Sequence, residues 1–352
     1  MDGAFTTLVA GALDAPFRLL DIGCSGGLDP RWRAFGARLQ AIGIDASRNE
    51  CARLSKAERL ADVEYVSAFV AGAAGRRIDP TRQASPLILA IRERLSFMRT
   101  REIRAERLAE AEIEEKLRHN AWEMTELADQ DRPVLVHELL AARGWTDFDY
   151  LKIDIDGSDF EVLQTFDGRL APSGVLGVQL EVNFVGTESP ADHTFHNTDR
   201  FMRRQGYELL RLDVRNYSSR ALPARYVWPT PAETLFGRPF QGEAWYARDF
   251  AGATLAPGKL LKLAAIYAAI GVPDMAAELL QQRRSEMAGL DIERGLDLLA
   301  AQVQPERVRK LDYRSYMRGF EADAAHFYRR EGDYTWGERF AAAWAAFRKP
   351  RR

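Results

Sequence analysis

The sequence predicts an α/β protein in which helices cover a parallel sheet. Short apolar runs at residues 17–21, 39–45 and 63–70 are typical of buried strands. Helices are predicted between them, at residues 31–38 and at residues 47–60, where Ser47 is a favourable N-cap. Strands and helices that alternate at this spacing form right-handed parallel βαβ units. A short helix over residues 6–13 is expected to pack under the sheet.

A glycine-rich turn follows the first strand. It begins after Asp21 and contains Gly23, Ser25 and Gly27. Such a turn lets a ligand lie against the main chain, and amides at the next helix start can bind it. The dinucleotide fingerprint has glycines at relative positions one, three and six, but Ser25 and Leu28 occupy the third and sixth positions here. A nicotinamide dehydrogenase is therefore disfavoured, and a plain strand-to-helix turn remains the alternative.

Two more polar residues belong to the same predicted edge of the sheet. Asp45 ends the second strand, and an acid there can bind the two hydroxyls of a ribose. Ser67 lies in the third predicted strand. Ligands of parallel sheets bind outside the carboxyl ends of the strands, so we expect Asp21, Asp45 and Ser67 to lie along one edge. The pattern predicts a site for a nucleoside-containing cofactor.

Composition limits the class of protein. The chain has 352 residues, enough for a full core, and its 51 acidic and 49 basic residues leave a formal net charge of -2. A nucleic-acid-binding protein usually shows a strong basic excess, so none is predicted. The only two cysteines, Cys24 and Cys51, cannot form a disulfide framework, which favours a reducing cytoplasm. Neither a signal peptide nor an apolar stretch of membrane-spanning length is evident.

A charged helical insertion interrupts the alternation of strands and helices. Residues 86–130 are rich in Arg, Glu, Ala and Leu, and apolar residues recur at three- or four-residue spacing. This pattern predicts one long amphipathic helix or two that form a hairpin. The segment is either a solvated insertion packed on the core or a lid or oligomerisation arm beside the site.

A second informative strand is predicted over residues 150–155. Alternation along it directs Lys152, Asp154 and Asp156 to one face, and Gly157 and Ser158 are expected to make the turn and cap the next helix. Carboxylates at the end of a parallel strand are costly unless they bind something. The next predicted strand, at residues 175–184, brings Glu181 to the same edge.

These segments together resemble the FkbM-type methyltransferase family. The resemblance rests on Leu19-Leu20-Asp21-Ile22-Gly23, Asp45, Leu151-Lys152-Ile153-Asp154-Ile155-Asp156-Gly157, Glu161-Val162-Leu163 and Leu180-Glu181-Val182, and it covers about residues 17–250 outside the insertion. It implies a Rossmann-like seven-stranded sheet of the class I methyltransferases and S-adenosylmethionine as methyl donor. The cofactor-binding residues would then be Asp21, Gly23, Ser25, Gly27, Asp45 and Ser67. The reaction it implies is O-methylation of a sugar, glycan or natural-product hydroxyl.

The chemistry of methyl transfer suggests roles for the acids. Transfer needs an aligned acceptor oxygen and a base to take its proton. Asp154 is expected near the methionine part of the cofactor or as the base, within a catalytic set of Asp154, Lys152, Glu181 and His193. Asp154, Asp156 and Glu181 are the candidate ligands of a divalent cation such as Mg²⁺, because hard cations prefer carboxylate oxygens. The alternative is that Lys152 pairs with these acids and that the set is structural.

Histidines follow the strand that carries Glu181. His193 and His196 lie in a polar loop, where the pKa of a histidine suits a base or a metal ligand. Surface hydrogen bonding is the alternative for both. His137 lies on a predicted helix between apolar neighbours, and a packing role is expected for it.

The remaining chain is predicted to end the sheet and then turn helical. Strands are expected at residues 207–212 and 226–228, with residues 236–249 beyond the catalytic sheet. We place a boundary near residue 254, which gives a catalytic domain at 1–254 and a helical region at 255–352. Two helices joined at Gly271 are expected to pack on the catalytic domain, and more helices follow from residue 292.

Two classes of function fit this organisation. The first is a cytoplasmic methyltransferase that acts on a small molecule or a glycan and forms a homo-oligomer through the insertion. The second is a non-catalytic, methyltransferase-like scaffold that binds partners through the insertion and the terminal helices. The presence of Asp21, Asp45, Asp154 and Glu181 favours the enzyme.

Overall fold

The computed structural model describes residues 3–70, 72, 133–155, 158–217, 234, 236–252, 254–287 and 289–302. The strands in this part of the chain are β1 (Phe17–Ile22), β2 (Leu39–Asp45), β3 (Val63–Ser67), β4 (Tyr150–Ile153), β5 (Gly177–Asn183), β6 (Tyr207–Tyr217) and β7 (Arg238–Arg248). The α-helices are α1 (Ala4–Ala12), α2 (Arg48–Ala57), α3 (Val136–Ala142), α4 (Asp159–Gln164), α5 (Phe195–Arg204), α6 (Pro257–Ala269), α7 (Pro273–Gln282) and α8 (Ile292–Gln302). Two 3₁₀ segments, Pro30–Arg38 and Arg284–Glu286, complete the list.

All seven strands form one sheet, in the order β3-β2-β1-β4-β5-β7-β6. Strands β1 to β5 are parallel, whereas β7 is antiparallel to both of its neighbours, β5 and β6. This arrangement confirms the predicted Rossmann-like α/β fold. The carboxyl ends of β1, β2, β3, β4 and β5 therefore meet at one edge, where a ligand is expected.

The N-terminal elements follow the sequence pattern closely. The bounds of β2 are those predicted, and α2 begins after Ser47, whose hydroxyl accepts a hydrogen bond from the Glu50 amide at 3.2 Å. The third strand ends at Ser67 rather than at residue 70, although Val70 forms an isolated parallel bridge with Val134.

The fourth strand is shorter than predicted. It ends at Ile153, so Asp154 and Ile155 lie beyond it. The backbone leaves the strand because the Ile155 amide donates to the Asp159 carboxylate at 2.9 Å instead of to a neighbouring strand. Ser158 occupies the N-cap of α4, but its side chain makes no capping hydrogen bond, so the predicted cap is wrong.

The placement of residues 236–249 beyond the sheet is also wrong. Residues 238–248 form β7, an interior strand between β5 and β6. Pro239 and Gly242 obscure the strand pattern, because both residue types are uncommon inside strands. Gly242 is required by close packing, since a Cβ there would lie 2.4 Å from the carbonyl oxygen of Asp213.

Helices cover the sheet on both faces and form two hydrophobic clusters. One cluster joins the sheet to α1, the 3₁₀ segment Pro30–Arg38 and the helices α6, α7 and α8, and it includes Phe5, Trp32, Tyr150, Ile266 and Leu296. The other joins the sheet to α3, α4 and α5, and it includes Leu139, Phe160 and Phe201. Helices α6, α7 and α8, which belong to the predicted C-terminal helical region, therefore pack on the same face of the sheet as α1.

A buried ion cluster links α6 to the start of β4. Asp149 is fully buried; its Oδ1 accepts a hydrogen bond from Lys259 Nζ at 2.5 Å, and its Oδ2 accepts one from Lys262 Nζ at 2.8 Å. The Arg18 amide also donates to Oδ2, at 2.8 Å. Burial lowers the pKa of Lys262, although Asp149 opposes this effect. The cluster lies where β1 and β4 begin, at the end of the sheet opposite the carboxyl ends of the parallel strands. It attaches α6 to the sheet.

Several predicted features lie outside the described residues. These are the helical insertion at 86–130, Asp156, the strand at 226–228 and the helices after residue 302. Within the described ranges, none of the helices combines the length and the apolar character that crossing a bilayer requires.

Candidate active site

The glycine loop contacts the end of β4 directly. The Gly23 amide donates to the Ile44 carbonyl at 2.8 Å, and the Asp154 amide donates to the Ile22 carbonyl at 2.9 Å. Gly23 has a φ of +84°, and a Cβ at this position would lie 1.7 Å from the carbonyl oxygen of Asp154. Only glycine permits this close approach. The loop and Asp154 therefore share one edge of the sheet, as predicted.

Lys152 holds the carboxylates at this edge. Its Nζ donates to the Gly23 carbonyl at 2.9 Å and lies 3.2 Å from Asp21 Oδ1 and 3.6 Å from Asp154 Oδ2. Burial raises the pKa of Asp21 to about 6, although the charge of Lys152 opposes the rise. For Lys152 itself, burial acts to lower the pKa, but the charges of Asp21 and Asp154 outweigh it and raise the value. At neutral pH the ammonium therefore stays charged between two carboxylates.

The predicted ribose-binding residues occur side by side. Asp45 and Ser67 are register partners at the ends of β2 and β3. Asp45 Oδ1 accepts a hydrogen bond from the Ser47 amide at 2.8 Å, and burial raises the pKa of this carboxyl. The Ser67 hydroxyl is buried and has no hydrogen-bond partner among the described residues. A carboxylate beside an unpartnered hydroxyl fits a ligand that carries neighbouring hydroxyl groups.

Two amides in the rest of the loop already donate hydrogen bonds within the protein. Ser25 is exposed, and the Gly27 amide donates to the Cys24 carbonyl at 2.8 Å. The Gly26 amide donates to Glu50 Oε1 at 2.9 Å, and Arg53 in turn binds Glu50. Glu50 was not among the predicted site residues. The only available signal was an acid in the first turn of the helix after Asp45.

A cluster of carboxylates lies beside this edge. Asp154, Asp159 and Glu181 each offer an oxygen within 4.8 Å of the others. Asp159, which is fully buried, is a candidate cation ligand beside the predicted Asp154 and Glu181, whereas the predicted Asp156 lies outside the described residues. Asp159 was not among the predicted site residues. It begins α4, and its carboxylate accepts a hydrogen bond from the Ile155 amide, next to Asp154. Like charges this close repel one another unless a proton or a cation intervenes.

His193 contacts the same cluster. Its Nε2 lies 2.8 Å from the Glu181 carbonyl oxygen, an acceptor, so Nε2 is assigned the proton. Its Nδ1 lies 3.4 Å from Asn183 Nδ2 and 3.8 Å from Asp159 Oδ2. His193 is buried, whereas His196 is exposed and its Nε2 lies 3.4 Å from Thr194 Oγ1. The structure thus separates the two histidines that the sequence places together.

The other predicted residues have simple surroundings. His137 lies on α3, as expected, and is half-buried. The half-buried Glu161 lies on α4 near Asp159 and His193, and burial raises its pKa. The site as a whole combines a glycine loop, a carboxylate–hydroxyl pair, a lysine-bridged pair of acids and a carboxylate cluster with a histidine. Such a set can bind a ribose, orient a hydroxyl group and accept a proton.

Comparison with known proteins agrees with the sequence pattern. Residues 102–209 match the family model described as "Methyltransferase FkbM domain". This range contains Lys152, Asp154, Asp159, Glu181 and His193. No curated protein matches the chain.

The chain is distantly similar to the following solved structures. One is a SAM-dependent methyltransferase from Agrobacterium tumefaciens, which is 9% identical to this chain and superposes with a TM-score of 0.31. The match covers 70% of this chain and 61% of the other protein's chain. The chain thus spans about three fifths of the length of that protein. The 23S rRNA methyltransferase ErmE is 9% identical with a TM-score of 0.28, over 86% of this chain and 99% of its own. The 16S rRNA methylase ArmA is 10% identical with a TM-score of 0.23, and the match covers 70% of this chain and 82% of the ArmA chain.

The identification rests on the family model and on the residues it spans. The predicted resemblance to the FkbM-type methyltransferases is confirmed over residues 102–209, the part of the chain that supplies β4, β5 and the carboxylate cluster.

Proposed function

We propose that the protein is an S-adenosylmethionine-dependent methyltransferase that methylates a hydroxyl group of a sugar, glycan or other natural product. The observation that carries the proposal is the meeting of the glycine loop with Asp154, where the loop backbone and a carboxylate share one edge. The family match supports methyl transfer, and the choice of a hydroxyl acceptor follows from the family resemblance. A cytoplasmic location is part of this proposal, because the only two cysteines are free.

The cofactor is proposed to lie along the ends of β1, β2 and β3. Asp45 and the unpartnered Ser67 hydroxyl would bind the ribose hydroxyls, and the backbone at Gly23 would lie against the cofactor. When bound, S-adenosylmethionine supplies an electrophilic methyl group. Lys152 keeps Asp21 and the Gly23 carbonyl in fixed positions, so we infer a positioning role for this lysine within the predicted catalytic set.

The proton acceptor is proposed to be His193, with Asp154 as the second candidate. Because the Glu181 carbonyl fixes the proton on Nε2, the basic lone pair of His193 lies on Nδ1, which is 3.4 Å from Asn183 Nδ2 and 3.8 Å from Asp159 Oδ2. A base contributes typically about 10²–10⁴-fold to a rate. We expect His193→Ala to reduce kcat by about 100-fold, with His196→Ala as the matched control from the same segment. If both variants keep wild-type kcat, His193 is not the base.

A divalent cation is proposed as an optional part of the site. Asp154, Asp159 and Glu181 form an all-oxygen donor set, which fits Mg²⁺. The expected result of adding Mg²⁺ is tighter binding of the acceptor or faster turnover, and loss of this response in Asp159→Asn. Equal turnover with Mg²⁺ and with a chelator would contradict a role for the cation.

The cofactor is tested by calorimetric titration with S-adenosylmethionine and S-adenosylhomocysteine, with NADH as the negative control. We expect saturable binding of both sulfur compounds and none of NADH. Asp45→Ala should abolish binding, whereas Asp62→Ala, which removes an exposed acid at the opposite end of β3, should not. Binding that survives Asp45→Ala would remove the ribose assignment. No binding by the wild type would favour the non-catalytic scaffold, in which the insertion at 86–130 and the terminal helices bind partners.

A further inference from the structure

A carboxylate of α2 binds the backbone of the glycine loop. Glu50 Oε1 accepts a hydrogen bond from the Gly26 amide at 2.9 Å. Arg53 orients this carboxylate, because its guanidinium donates to Glu50 Oε1 at 2.6 Å and to Oε2 at 2.7 Å. The hydrogen bonds from Arg53 lower the pKa of Glu50, although partial burial opposes them, so the carboxylate is ionised at neutral pH. The loop therefore has a negative charge in contact with its backbone at Gly26.

Three other amides of the loop are also paired within the protein. Those of Gly23 and Cys24 donate to the Ile44 carbonyl, at 2.8 and 3.2 Å. That of Gly27 donates to the Cys24 carbonyl at 2.8 Å. Loops that bind a phosphate or a pyrophosphate do so through free amides that point at the anion. These three amides and that of Gly26 are therefore engaged before any ligand arrives.

Lack of space does not keep a phosphate away from the loop. Ser25 and Gly26 are exposed, and within the described part of the chain no atom lies within 4 Å of the position of a Cβ on Gly26. The proposed ribose ligand, Asp45, ends the strand that leads into α2. In dinucleotide-binding folds an acid binds the ribose while the phosphates lie on the glycine loop. A nucleotide with its ribose at Asp45 would therefore bring its phosphates toward Gly26.

We propose that Glu50 is a specificity-determining residue of the cofactor site, which excludes nucleotides and dinucleotides because its carboxylate occupies the Gly26 amide where a phosphate would bind. This inference rests on the proposed function. A phosphate at this amide would have to displace Glu50, and the two anions repel each other. A nucleoside cofactor without phosphate groups, such as S-adenosylmethionine, does not need the amide and is accepted.

The charge of Arg53 does not cancel the exclusion. Its side chain is 59% exposed, whereas that of Glu50 is 20% exposed and contacts the loop amide. Water and salt screen the guanidinium more strongly than the carboxylate, because charges are screened less when they are partly buried. A neutral residue in place of Glu50 would also release Arg53, which could then bind a phosphate itself. The test must therefore separate these two effects.

The test is calorimetric titration of the full chain with adenosine and ADP, which differ only in the diphosphate group. We expect the wild type to bind adenosine about tenfold more tightly than ADP, or better. The side-chain carbonyl in Glu50→Gln can keep the hydrogen bond to Gly26 without the charge. The ratio of ADP affinity to adenosine affinity should therefore rise by about tenfold or more in this variant. Glu50→Asp keeps the charge and should keep the wild-type ratio.

Two outcomes of this titration would overturn the proposal. One is a wild type that binds ADP as tightly as adenosine, and the other is an unchanged affinity ratio in Glu50→Gln. The matched control is Glu64→Gln, which removes the charge of an acid on β3 that pairs with Arg143. Its affinity ratio should equal that of the wild type, and a rise as large as in Glu50→Gln would assign the effect to net charge and overturn the proposal.

The contribution of Arg53 is measured in the double variant Glu50→Gln/Arg53→Ala. We expect the double variant to keep most of the rise in the affinity ratio, since the carboxylate is absent from the Gly26 amide in both. Complete loss of the rise would show that the released guanidinium binds the phosphates, and it would overturn the role of Glu50. Urea unfolding of each variant checks that the affinities refer to folded protein.

The proposed function and this inference fail separately. If the wild type binds neither S-adenosylhomocysteine nor adenosine, the proposed function fails. ADP binding that appears in Glu50→Gln would then still support exclusion of phosphates by Glu50, and its absence would overturn it. If S-adenosylhomocysteine binds and the affinity ratio does not depend on Glu50, the proposed function stands and the inference fails.

Discussion

Removing the charge of Asp149 should destabilise the fold strongly, because it leaves buried cations without a partner. Asp149 is fully buried between Lys259 and Lys262, and Lys262 is only 5% exposed. Breaking a buried ion pair by removing one partner costs about 3–5 kcal/mol. We expect Asp149→Asn to lower the free energy of unfolding by this amount at neutral pH, measured by urea denaturation. Asp147→Asn is the matched control, since Asp147 is about half exposed and its ion pairs contribute about 0–1 kcal/mol.

The pH dependence of the stability lost in Asp149→Asn identifies the cause of the loss. Burial lowers the folded-state pKa of Lys262, so the folded state binds fewer protons than the unfolded state, and stability from this group rises with pH. Asp149 opposes that shift, so its removal lowers the pKa of Lys262 further. We expect the deficit of Asp149→Asn to shrink between neutral pH and about pH 9, and Lys262→Met to recover part of it in the double variant. Equal deficits in the Asp149 and Asp147 variants, or a deficit independent of pH, would refute the reasoning.

Two further predictions concern the loop and its acid. Gly23→Ala should abolish cofactor binding and lower the unfolding midpoint, because its Cβ would meet the Asp154 carbonyl at 1.7 Å; Gly26→Ala has a similar φ of +82° but open space, and should cost only about 1 kcal/mol of backbone strain. Similar losses in both variants, read by urea unfolding and calorimetry, would show that packing at Gly23 is unimportant. Burial raises the pKa of Asp21 to about 6, so the folded state binds more protons than the unfolded state, and this carboxyl reduces stability as pH rises from about 4 to 6. The unfolding free energy of the wild type relative to Asp21→Asn should therefore fall by about 3 kcal/mol over that range in urea titrations, and a constant difference would contradict the assignment.

The parallel strands were predictable because each of them is visible as a short apolar run in the sequence. The run that forms β2 is apolar and ends at Asp45, so its period and its limits are visible without tertiary information. The strand β7 was missed because Pro239 and Gly242 interrupt its strand pattern. Gly242 lies between β5 and β6, whereas the exposed Pro239 lies beyond the residues that pair with β5 and is opposite Asn216 of β6, at a register shift. No local pattern contains this context.

The site was predictable in part: the residues at strand ends were found, and two others were not. Asp21 and Asp154 end strands, so the topology alone brings them to one edge. Asp159 lies on α4, and its carboxylate is placed beside Asp154 by a hydrogen bond from the Ile155 amide, which the strand pattern does not encode. Glu50 binds the Gly26 amide across 24 residues of sequence, which no motif encodes. Residues placed by strand ends were therefore found, whereas residues placed by a turn or a helix face were missed.

The interior position of β7 has a consequence for the synthesis of the protein. While the ribosome is adding residues 184–248, the edge of β5 has no strand to pair with, although β1 to β4 are already complete. At about 5–20 residues per second this interval lasts several seconds, and an open strand edge is a template for aggregation. The contact between Lys262 and the Pro16 carbonyl, 246 residues apart, closes still later. The nascent chain should therefore depend on chaperones that cover β-edges, and truncations that end before β7 should aggregate rather than fold.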